Sequence, residues 1–400
     1  MSVHPMVPLA DAAEIAAGVT LGRKTKESDL VTVPYLRVAN VQDGHLQLDD
    51  LKTIAATPGE IEKLTLRNGD LLLTEGGDLD KLGRGALWRD QVPLCIHQNH
   101  IFRVRLDKER YDPDYVSFQI GSPYGKAYFL AHAKKTTGIA SINQRVLGAF
   151  PLISPPLHQQ RNVSAQLIAR LAEVETAKSA AHAQANDIAL LGRRVLSEVF
   201  LAVVDAPRLR LGDFAHTTSG STPARSVKAY WSPAEIPWVK TGEIDFASIR
   251  SVGERIARAA LVDCSLALLP PKTVLIAITG EGKTRGRSAV LEVQATTNQH
   301  SVSILPNETW DPYFLQLWLQ ASYHDLRELS EGRGGSRSAL SGIQIKALEV
   351  PAPPRDVQMA LVLQAQAALQ EVNALADANA SQLEELERLP QHLLAQAFKD

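Results

Sequence analysis

Two stretches of this 400-residue chain decide its fold: LIARLAEVETAKSAAHAQANDIALLGRRVLSEV at Leu167–Val199 and AQAALQEVNALADANASQLEELERLPQHLLAQA at Ala365–Ala397. In both, apolar residues recur at alternating spacings of three and four, the heptad pattern of a helix that pairs with another helix. About 45 helical residues form a rod of roughly 65 Å, too long to be buried in a small domain. Two such rods are therefore predicted to pair. The main seam positions, each with a counterpart 198 residues away, are Leu167, Leu171, Val174, Ile188, Val195, Leu369, Val372, Leu383, Leu386 and Leu393.

Polar and helix-breaking residues interrupt both seams. Lys178 and Asn379 place a polar group on each one, which lowers stability but selects one register or orientation. Gly192 and Pro390 fall at equivalent positions and predict a shared kink or break near the helix ends.

The sequence that precedes each helix is also repeated, at an offset of about 203 residues. PYLRVANV from Pro34 matches PWVKTGEI from Pro237, and both are predicted to be short strands. The apolar strand Leu71–Leu73 recurs as Val274–Ile276, followed in each copy by a glycine-rich loop. Gly18 and Gly220, and Arg84 and Arg287, are further matching pairs, and His100 and His300 match at a slightly smaller offset, as a few deleted loop residues would produce.

These repeats predict an α/β (α+β) fold made of two tandem modules of short strands and loops, residues 1–155 and 206–352. A long helix follows each module, at residues 156–205 and 353–400. Because a second module lies between the two helices, they are expected to pair as an antiparallel coiled coil. This layout has internal pseudo-twofold symmetry.

Composition limits the class of protein without naming a function. No apolar run approaches the ~20 residues of a membrane span, and the N-terminus lacks the order of a signal peptide. Cys95 and Cys264 form neither a disulfide framework nor a CxxC metal motif, so a soluble, cytoplasmic protein is expected. A net charge of −2 argues against a general polyanion binder but leaves room for a local basic face.

A ligand that repeats along a line suits two similar modules at a fixed separation, and double-stranded DNA is such a ligand. The stretch Tyr115–Ala172 contains no Asp or Glu, and Gly332–Lys346 is also free of acid. Such stretches attract phosphate, although single surface cations are as often merely solvated. The candidate DNA-binding residues in them are Lys134, Lys135, Arg145, Arg333, Arg337 and Lys346.

The glycine-rich loop ITGEGKT at 278–284 invites comparison with a phosphate-binding P-loop, with Lys283 on the phosphates. The motif needs a glycine where Ala277 stands and a helix where RGRSAVLEV predicts a strand. Both copies of the loop share an arginine instead. Lys283, Arg84 and Arg287 are therefore candidates for DNA contact, with a structural turn as the default alternative for the arginines.

Motifs of catalysis and metal binding are not found. His97, His100 and His300 lack a second ligand at metal spacing and are interpreted as strand histidines that bond locally. The sequence contains no GxSxG, HExxH or GxGxxG, and none of its Pro-Pro pairs has the context of an amino-methyltransferase motif. The chain is therefore expected not to be an enzyme.

The whole pattern resembles the specificity subunit of type I restriction–modification enzymes. The resemblance rests on NGDLLLTEGG and KTVLIAITGEG with their Gly-Arg loops, the NQH segment, the Pro-Pro approach to each helix, and helix ends such as RRVLSEVF and QHLLAQAF. It implies that each module is a target-recognition domain for one part of a split, asymmetric DNA site. The helices are then the family's spacers. Pro390 departs from a regular spacer and leaves the C-terminal geometry open.

The resemblance also implies partners. These are two methyltransferase subunits, which flip out a target adenine, and motor-nuclease subunits that cut unmodified DNA in phage defence. S-adenosylmethionine, ATP and magnesium belong to those partner subunits, so this chain is expected to hold no cofactor.

Two other classes of protein stay open at this point. A P-loop nucleotide hydrolase with coiled-coil arms predicts ATP binding that is lost on Lys283→Ala. A coiled-coil scaffold that never touches DNA predicts protein partners without salt-dependent DNA binding.

Overall fold

The computed structural model describes residues 4–22, 29–77, 82–136, 139–280, 282–330 and 339–399. The chain forms two compact units. Unit 1 comprises Met1–His182 and Ser381–Asp400, and unit 2 comprises Ala183–Ala380. Each unit contains one globular module and a part of both long helices.

The module of unit 1 is built on a four-stranded antiparallel sheet. Its strand order is Ala13–Ala17, Ile101–Leu106, Leu71–Thr74 and Gly85–Leu87. A second sheet places Val31–Leu36 between Lys52–Ala56 (antiparallel) and Ile96–His97 (parallel), and Met6–Pro8 pairs with Pro151–Ile153. Gly76–Gly77, Lys134–Thr136 and Ile139–Ser141 form a third sheet. The helices are Leu9–Ala12, the 3-10 turn Val38–Asn40, Pro58–Leu64, Pro113–Gly121, Pro123–His132 and Gln144–Gly148.

The described strands of unit 2 repeat the four-stranded sheet, the sheet with the parallel pair and the two-stranded pairing of module 1, and the third sheet of module 1 has no counterpart among them. Its four-stranded sheet has the order Thr217–Ser219, Ser301–Ile304, Val274–Ala277 and Ser288–Val290. Ile236–Val239 pairs antiparallel with Arg255–Ile256 and parallel with Thr296–Thr297, and Arg208–Arg210 pairs with Glu349–Pro351. The helices are Leu211–Phe214, the 3-10 turns Lys228–Tyr230 and Thr241–Glu243, Arg258–Asp263, Pro312–Ala321, Tyr323–Glu328 and Gly342–Lys346.

A pair of repeated glycines makes the same close backbone contact in both modules. A Cβ added to Gly18 would lie 1.9 Å from the carbonyl oxygen of His97, and one added to Gly220 would lie 1.8 Å from that of Thr297. Real Cβ atoms do not approach so closely. The chain therefore passes against the backbone of the parallel strand in both modules, and only glycine fits there.

The two long helices span Leu157–Leu201 and Arg355–Ala397. In unit 1, Leu167 from near the start of the first long helix shares a core with Leu394, near the end of the second. In unit 2 the opposite parts meet, because Leu196 shares a core with Leu361. Within each unit the helices thus run in opposite directions, as the sequence predicted.

The structure corrects three details of the sequence interpretation. Neither long helix is broken, since Gly192 and Pro390 both lie inside continuous helix. The strands that include Pro34 and Pro237 end within a few residues, and a 3-10 turn follows each. The modules also contain several helices that were not predicted. No helix in the described part of the chain is long and apolar enough to cross a membrane.

Candidate nucleic-acid interface

Three segments of module 1 meet at Glu75, directly after the buried strand Leu71–Thr74. The backbone N–H of Glu75 donates to the carbonyl oxygen of His100 (3.0 Å), and the N–H of Ile142 donates to the carbonyl oxygen of Glu75 (2.8 Å). The glycine-rich loop, the turn Gln98–His100 and the segment around Ile142 are therefore held together by backbone bonds. Such bonds do not depend on which side chains the loops carry.

The same junction recurs at Ile278 in module 2. The N–H of Ile278 donates to the carbonyl oxygen of His300 (3.0 Å), and the N–H of Leu340 donates to the carbonyl oxygen of Ile278 (2.9 Å). We call each assembly of glycine-rich loop, histidine turn (Gln98–His100 or Asn298–His300) and third segment the reading edge of its module. The backbone bonds of the reading edge are thus the same in both modules.

Exposed polar side chains cover both edges, but in different arrangements. At edge 1, Nδ1 of His100 lies 2.6 Å from Oε2 of Glu75, and both side chains are exposed. At edge 2, Oγ1 of Thr222 donates to Oε1 of Gln299 (2.5 Å), and Nε2 of Gln299 lies 3.2 Å from Nε2 of His300. Amide and imidazole groups of this kind can make hydrogen bonds to base edges.

Two of the predicted lysines lie on edge 1. In the hairpin, Ile139–Ser141 pairs with Gly76–Gly77, and the strand Lys134–Thr136 pairs on its other side, so Lys134 and Lys135 lie one strand away from the start of the glycine-rich loop. Both lysines are exposed. Lys126, from the same acid-free stretch, instead forms an ion pair with Asp43. The hairpin thus adds positive charge to the loop, as phosphate binding requires.

The side chains of Arg84 and Arg287 each bind a side chain of their own module, so they do not extend freely from a flexible loop. Nη1 of Arg84 donates to Oε1 of Gln42 (2.8 Å), and Nη1 of Arg287 lies 2.5 Å from Oδ1 of Asp245. Gln42 and Asp245 occupy equivalent places in the two modules, directly after the 3-10 turns. The shared arginine therefore has a structural contact in both copies, and its contact with DNA stays a prediction.

The exposed side chain of Lys283 lies in the turn of the second glycine-rich loop, and the hydroxyl of Tyr323 donates to its carbonyl oxygen (2.7 Å). The strand Ser288–Val290 follows where a P-loop requires a helix. Arg145 and Lys346 are exposed on equivalent short helices, Gln144–Gly148 and Gly342–Lys346. Arg333 and Arg337 lie outside the described residues.

The predicted seam residues all have restricted exposure. Within unit 2, a Cβ added to Gly192 would lie 3.4 Å from Cγ1 of Val372, so the helices approach closely there. Asn379 is buried, whereas Lys178 is partly exposed and pairs with Glu175 (2.8 Å). The buried seam residues are Leu167, Val174, Ile188 and Val372, and the half-buried ones are Leu171, Val195, Leu369, Leu383, Leu386 and Leu393.

The histidines differ from the interpretation as strand residues. His100 and His300 lie in turns, and only His97 is in a strand, where it is fully buried. Burial, and second to it the nearby Arg103 guanidinium, lower the pKa of His97 to about 4. A neutral imidazole thus lies in the core directly before the histidine turn.

Within the described ranges, no group of three or more His, Cys, Asp or Glu side chains could hold a metal ion. The edges offer hydrogen-bond donors, acceptors and cations on fixed backbones. Such a surface suits binding.

Sequence reasoning missed two buried amides, Gln160 and Gln358, which join each module to its long helix. The signal was available, because the two glutamines stand at the same offset of 198 residues as the helix seams.

Residues 205–376 match the family model described as "Type I restriction modification DNA specificity domain". The type I restriction enzyme EcoKI specificity subunit of Escherichia coli (strain K12) is 27% identical over 185 residues, which is 45% of this chain and 39% of that relative. The match thus spans about two fifths of the relative's length.

Two solved structures share the fold over nearly the whole chain. One, from a structural study of complex assembly and conformational transition of the type I R-M system, has a TM-score of 0.76 at 18% identity and covers 100% of this chain and 98% of its own. The HsdS subunit from Thermoanaerobacter tengcongensis has a TM-score of 0.62 at 19% identity, with coverage of 98% and 96%. The predicted fold class is confirmed. The predicted resemblance to the specificity subunits of type I restriction–modification enzymes is likewise confirmed, since residues 205–376 match the model of that family's DNA specificity domain.

Proposed function

We propose that this chain is the non-catalytic specificity subunit of a type I restriction–modification complex in the cytoplasm, and that it reads a bipartite, asymmetric site on double-stranded DNA. The modules 1–155 and 206–352 are its two target-recognition domains. The helices 156–205 and 353–400 are the spacers on which two methyltransferase subunits dock, with motor-nuclease subunits as further partners. S-adenosylmethionine, ATP and magnesium bind to those partner subunits, and this chain binds no cofactor.

One observation carries this proposal: the reading edge is duplicated. The same two backbone bonds fix it at Glu75 and at Ile278, while the side chains around these bonds differ. Phosphate contacts position a protein on DNA, and contacts with base edges specify the sequence. A repeated scaffold with different polar surfaces suits a reader of two different half-sites.

The test is co-expression of this chain with the methyltransferase subunit encoded beside it, followed by a genome-wide map of methylated adenines. The proposal expects a motif of two short specific parts separated by a fixed gap. An assembled complex that adds no chain-dependent methylation would contradict it and would favour the scaffold. ATP binding by the purified chain that is lost in Lys283→Ala would favour the nucleotide hydrolase.

Edge variants then assign each half of the motif to one module. Thr222→Val with Gln299→Leu, at edge 2, is expected to relax or change one half-site and leave the other half unchanged. The matched control is Arg258→Ala, an exposed residue of the short helix Arg258–Asp263 in the same module. A change in both half-sites, or in neither, would contradict the assignment of edge 2 as a reading surface.

A further inference from the structure

Gln160, in the first turn of the first long helix, makes three hydrogen bonds with its buried side-chain amide. Its Oε1 accepts from the backbone N–H of Asp112 (3.0 Å), and its Nε2 donates to the carbonyl oxygens of Arg110 (3.1 Å) and Pro155 (2.7 Å). The residue is 1% exposed. Asp112 in turn caps the helix Pro113–Gly121, because its Oδ1 accepts from the N–H of Tyr115.

Gln358 makes the same three bonds in unit 2. Its Oε1 accepts from the N–H of Asp311 (2.7 Å), and its Nε2 donates to the carbonyl oxygens of Thr309 (2.8 Å) and Pro353 (2.8 Å). It is fully buried, and Asp311 caps the helix Pro312–Ala321. The two joints therefore agree in every partner position.

Only an amide of this length satisfies the joint. The three backbone groups demand two donors and one acceptor from a single side chain, and glutamine supplies them. Glutamate lacks the donors and would bury a charge, whereas methionine has the size but leaves all three groups unpaired. The glutamine thus connects three parts of its unit. These are the loop before the capped helix, the capping aspartate, and the proline pair that directly precedes the long helix.

We infer that Gln160 and Gln358 are positioning residues, which fix the direction in which each module leaves its helix and thereby set the gap that the protein accepts between two half-sites. The inference rests on the proposed bipartite reading of DNA. A change of one base pair in the gap moves one half-site by about 3.4 Å and rotates it by roughly 34°. A joint of three buried hydrogen bonds resists such a movement, and a joint without them yields more easily.

The experiment compares the wild-type complex with the double variant Gln160→Met and Gln358→Met. The measured quantity is the ratio of methylation rates on the cognate site and on sites whose gap is one base pair longer or shorter. We expect the ratio to fall about tenfold in the double variant, equivalent to about 1.4 kcal/mol. The base preference within each half-site should remain, since the reading edges are unchanged.

Gln316→Met is the matched control. Its amide is nearly as buried, but it bonds Ser288 and Gln320 inside module 2 and leaves the joint alone. It should lower stability without altering the gap ratio. If the methionine variants do not fold, Gln160→Asn and Gln358→Asn, which keep the amide on a shorter side chain, take their place and are expected to lower the ratio.

The possible outcomes distinguish a failure of the joint inference from a failure of the proposed function. A folded joint variant with the wild-type gap ratio overturns the inference and leaves the proposed function intact. A gap ratio that falls equally in Gln316→Met also overturns it, because a general loss of stability then explains the effect. A wild-type complex that directs no bipartite methylation overturns the proposed function and the inference together.

Discussion

Replacement of Gly220 by alanine tests whether the chain really passes against the parallel strand of module 2. The new Cβ would lie 1.8 Å from the carbonyl oxygen of Thr297 and 2.3 Å from its carbonyl carbon. Relief of this overlap requires the two backbone segments to separate by more than about 1 Å, since both colliding groups are backbone. That separation breaks the bond from the N–H of Ser221 to the carbonyl oxygen of Thr297 (3.0 Å).

The expected loss in the free energy of unfolding is about 3–5 kcal/mol, the range of severe overpacking combined with a broken buried hydrogen bond. Backbone strain contributes nothing to it, because the φ angle of Gly220 is not positive. Urea denaturation gives the loss, with tryptophan fluorescence as a probe of unit 2, which contains Trp231, Trp238, Trp310 and Trp318. Hydrogen exchange at the Ser221 amide reports the local opening.

Gly242→Ala is the control in the same unit, because a Cβ at that position meets nothing within 4 Å. It should change the free energy of unfolding by less than about 1 kcal/mol. If Gly220→Ala were as stable as Gly242→Ala, with the Ser221 amide still protected, the inferred close approach of Gly220 to the backbone of Thr297 would be refuted.

Three further predictions concern module 1. Arg105→Met leaves the carboxylate of Asp70 buried without its bidentate partner (2.8 and 2.7 Å), and it should lower the free energy of unfolding by about 3–5 kcal/mol. His97 is neutral when folded because its pKa falls from about 6.5 to about 4, so only the unfolded chain takes up this proton between those pH values. Stability should therefore fall by about 3 kcal/mol as the pH drops from 6.5 to 4, and His97→Gln should remove that part of the pH dependence in denaturation curves. Lys134→Ala with Lys135→Ala should weaken DNA binding for all sequences and reduce the salt slope by about 2 in titrations.

Each of these predictions has a control and a contrary outcome. Arg388→Met removes an exposed partner of Glu384 and should leave stability within about 0.5 kcal/mol of wild type, so an equal effect of Arg105→Met would refute the buried pair. His45→Gln changes an exposed histidine, and an unchanged pH profile in the His97 variant would refute the neutral imidazole. Lys399→Ala removes a charge elsewhere, and an unaltered salt slope in the hairpin variant would remove both lysines from the interface.

The long helices were predictable because their signal is local and repeated. The sequence placed them at residues 156–205 and 353–400, and the structure has Leu157–Leu201 and Arg355–Ala397. A heptad pattern extends over many residues, and the proline pairs mark both starts. The buried strands after which the glycine-rich loops begin were predictable for the same reason, since short apolar runs ended by glycine are a local feature.

Other parts of the fold depend on partners that are far away in the sequence. No local sequence pattern predicts the parallel pairing of Val31–Leu36 with Ile96–His97. The helix Pro312–Ala321 is short and buries the consecutive residues Phe314–Leu319, so in the sequence it is a short apolar run that is equally typical of a buried strand. Asp311 followed by proline is a start signal for this helix that sequence reasoning did not use.

The candidate site divides in the same way. Sequence reasoning selected the glycine-rich loops and the acid-free stretch, and Lys134 and Lys135 lie in the same three-stranded sheet as the start of the first loop. It could not foresee that Arg84 bonds Gln42, a residue 42 positions away, because charge and spacing do not reveal such a partner. Gln160 alone has no distinctive chemistry in a polar helix start, and only its repeat as Gln358 at the 198-residue offset could have indicated a joint.

The differences between the two edges bear on the kind of site that such a protein reads. The backbone bonds at Glu75 and Ile278 are equivalent, yet a carboxylate stands at one and an apolar side chain at the other. His100 has an acidic neighbour, whereas His300 has an amide. A protein whose two edges were identical would read the same bases twice. If the chain reads DNA as we propose, the two half-sites should therefore differ, because the scaffold is repeated and the side chains are not, and an asymmetric motif is the expected result.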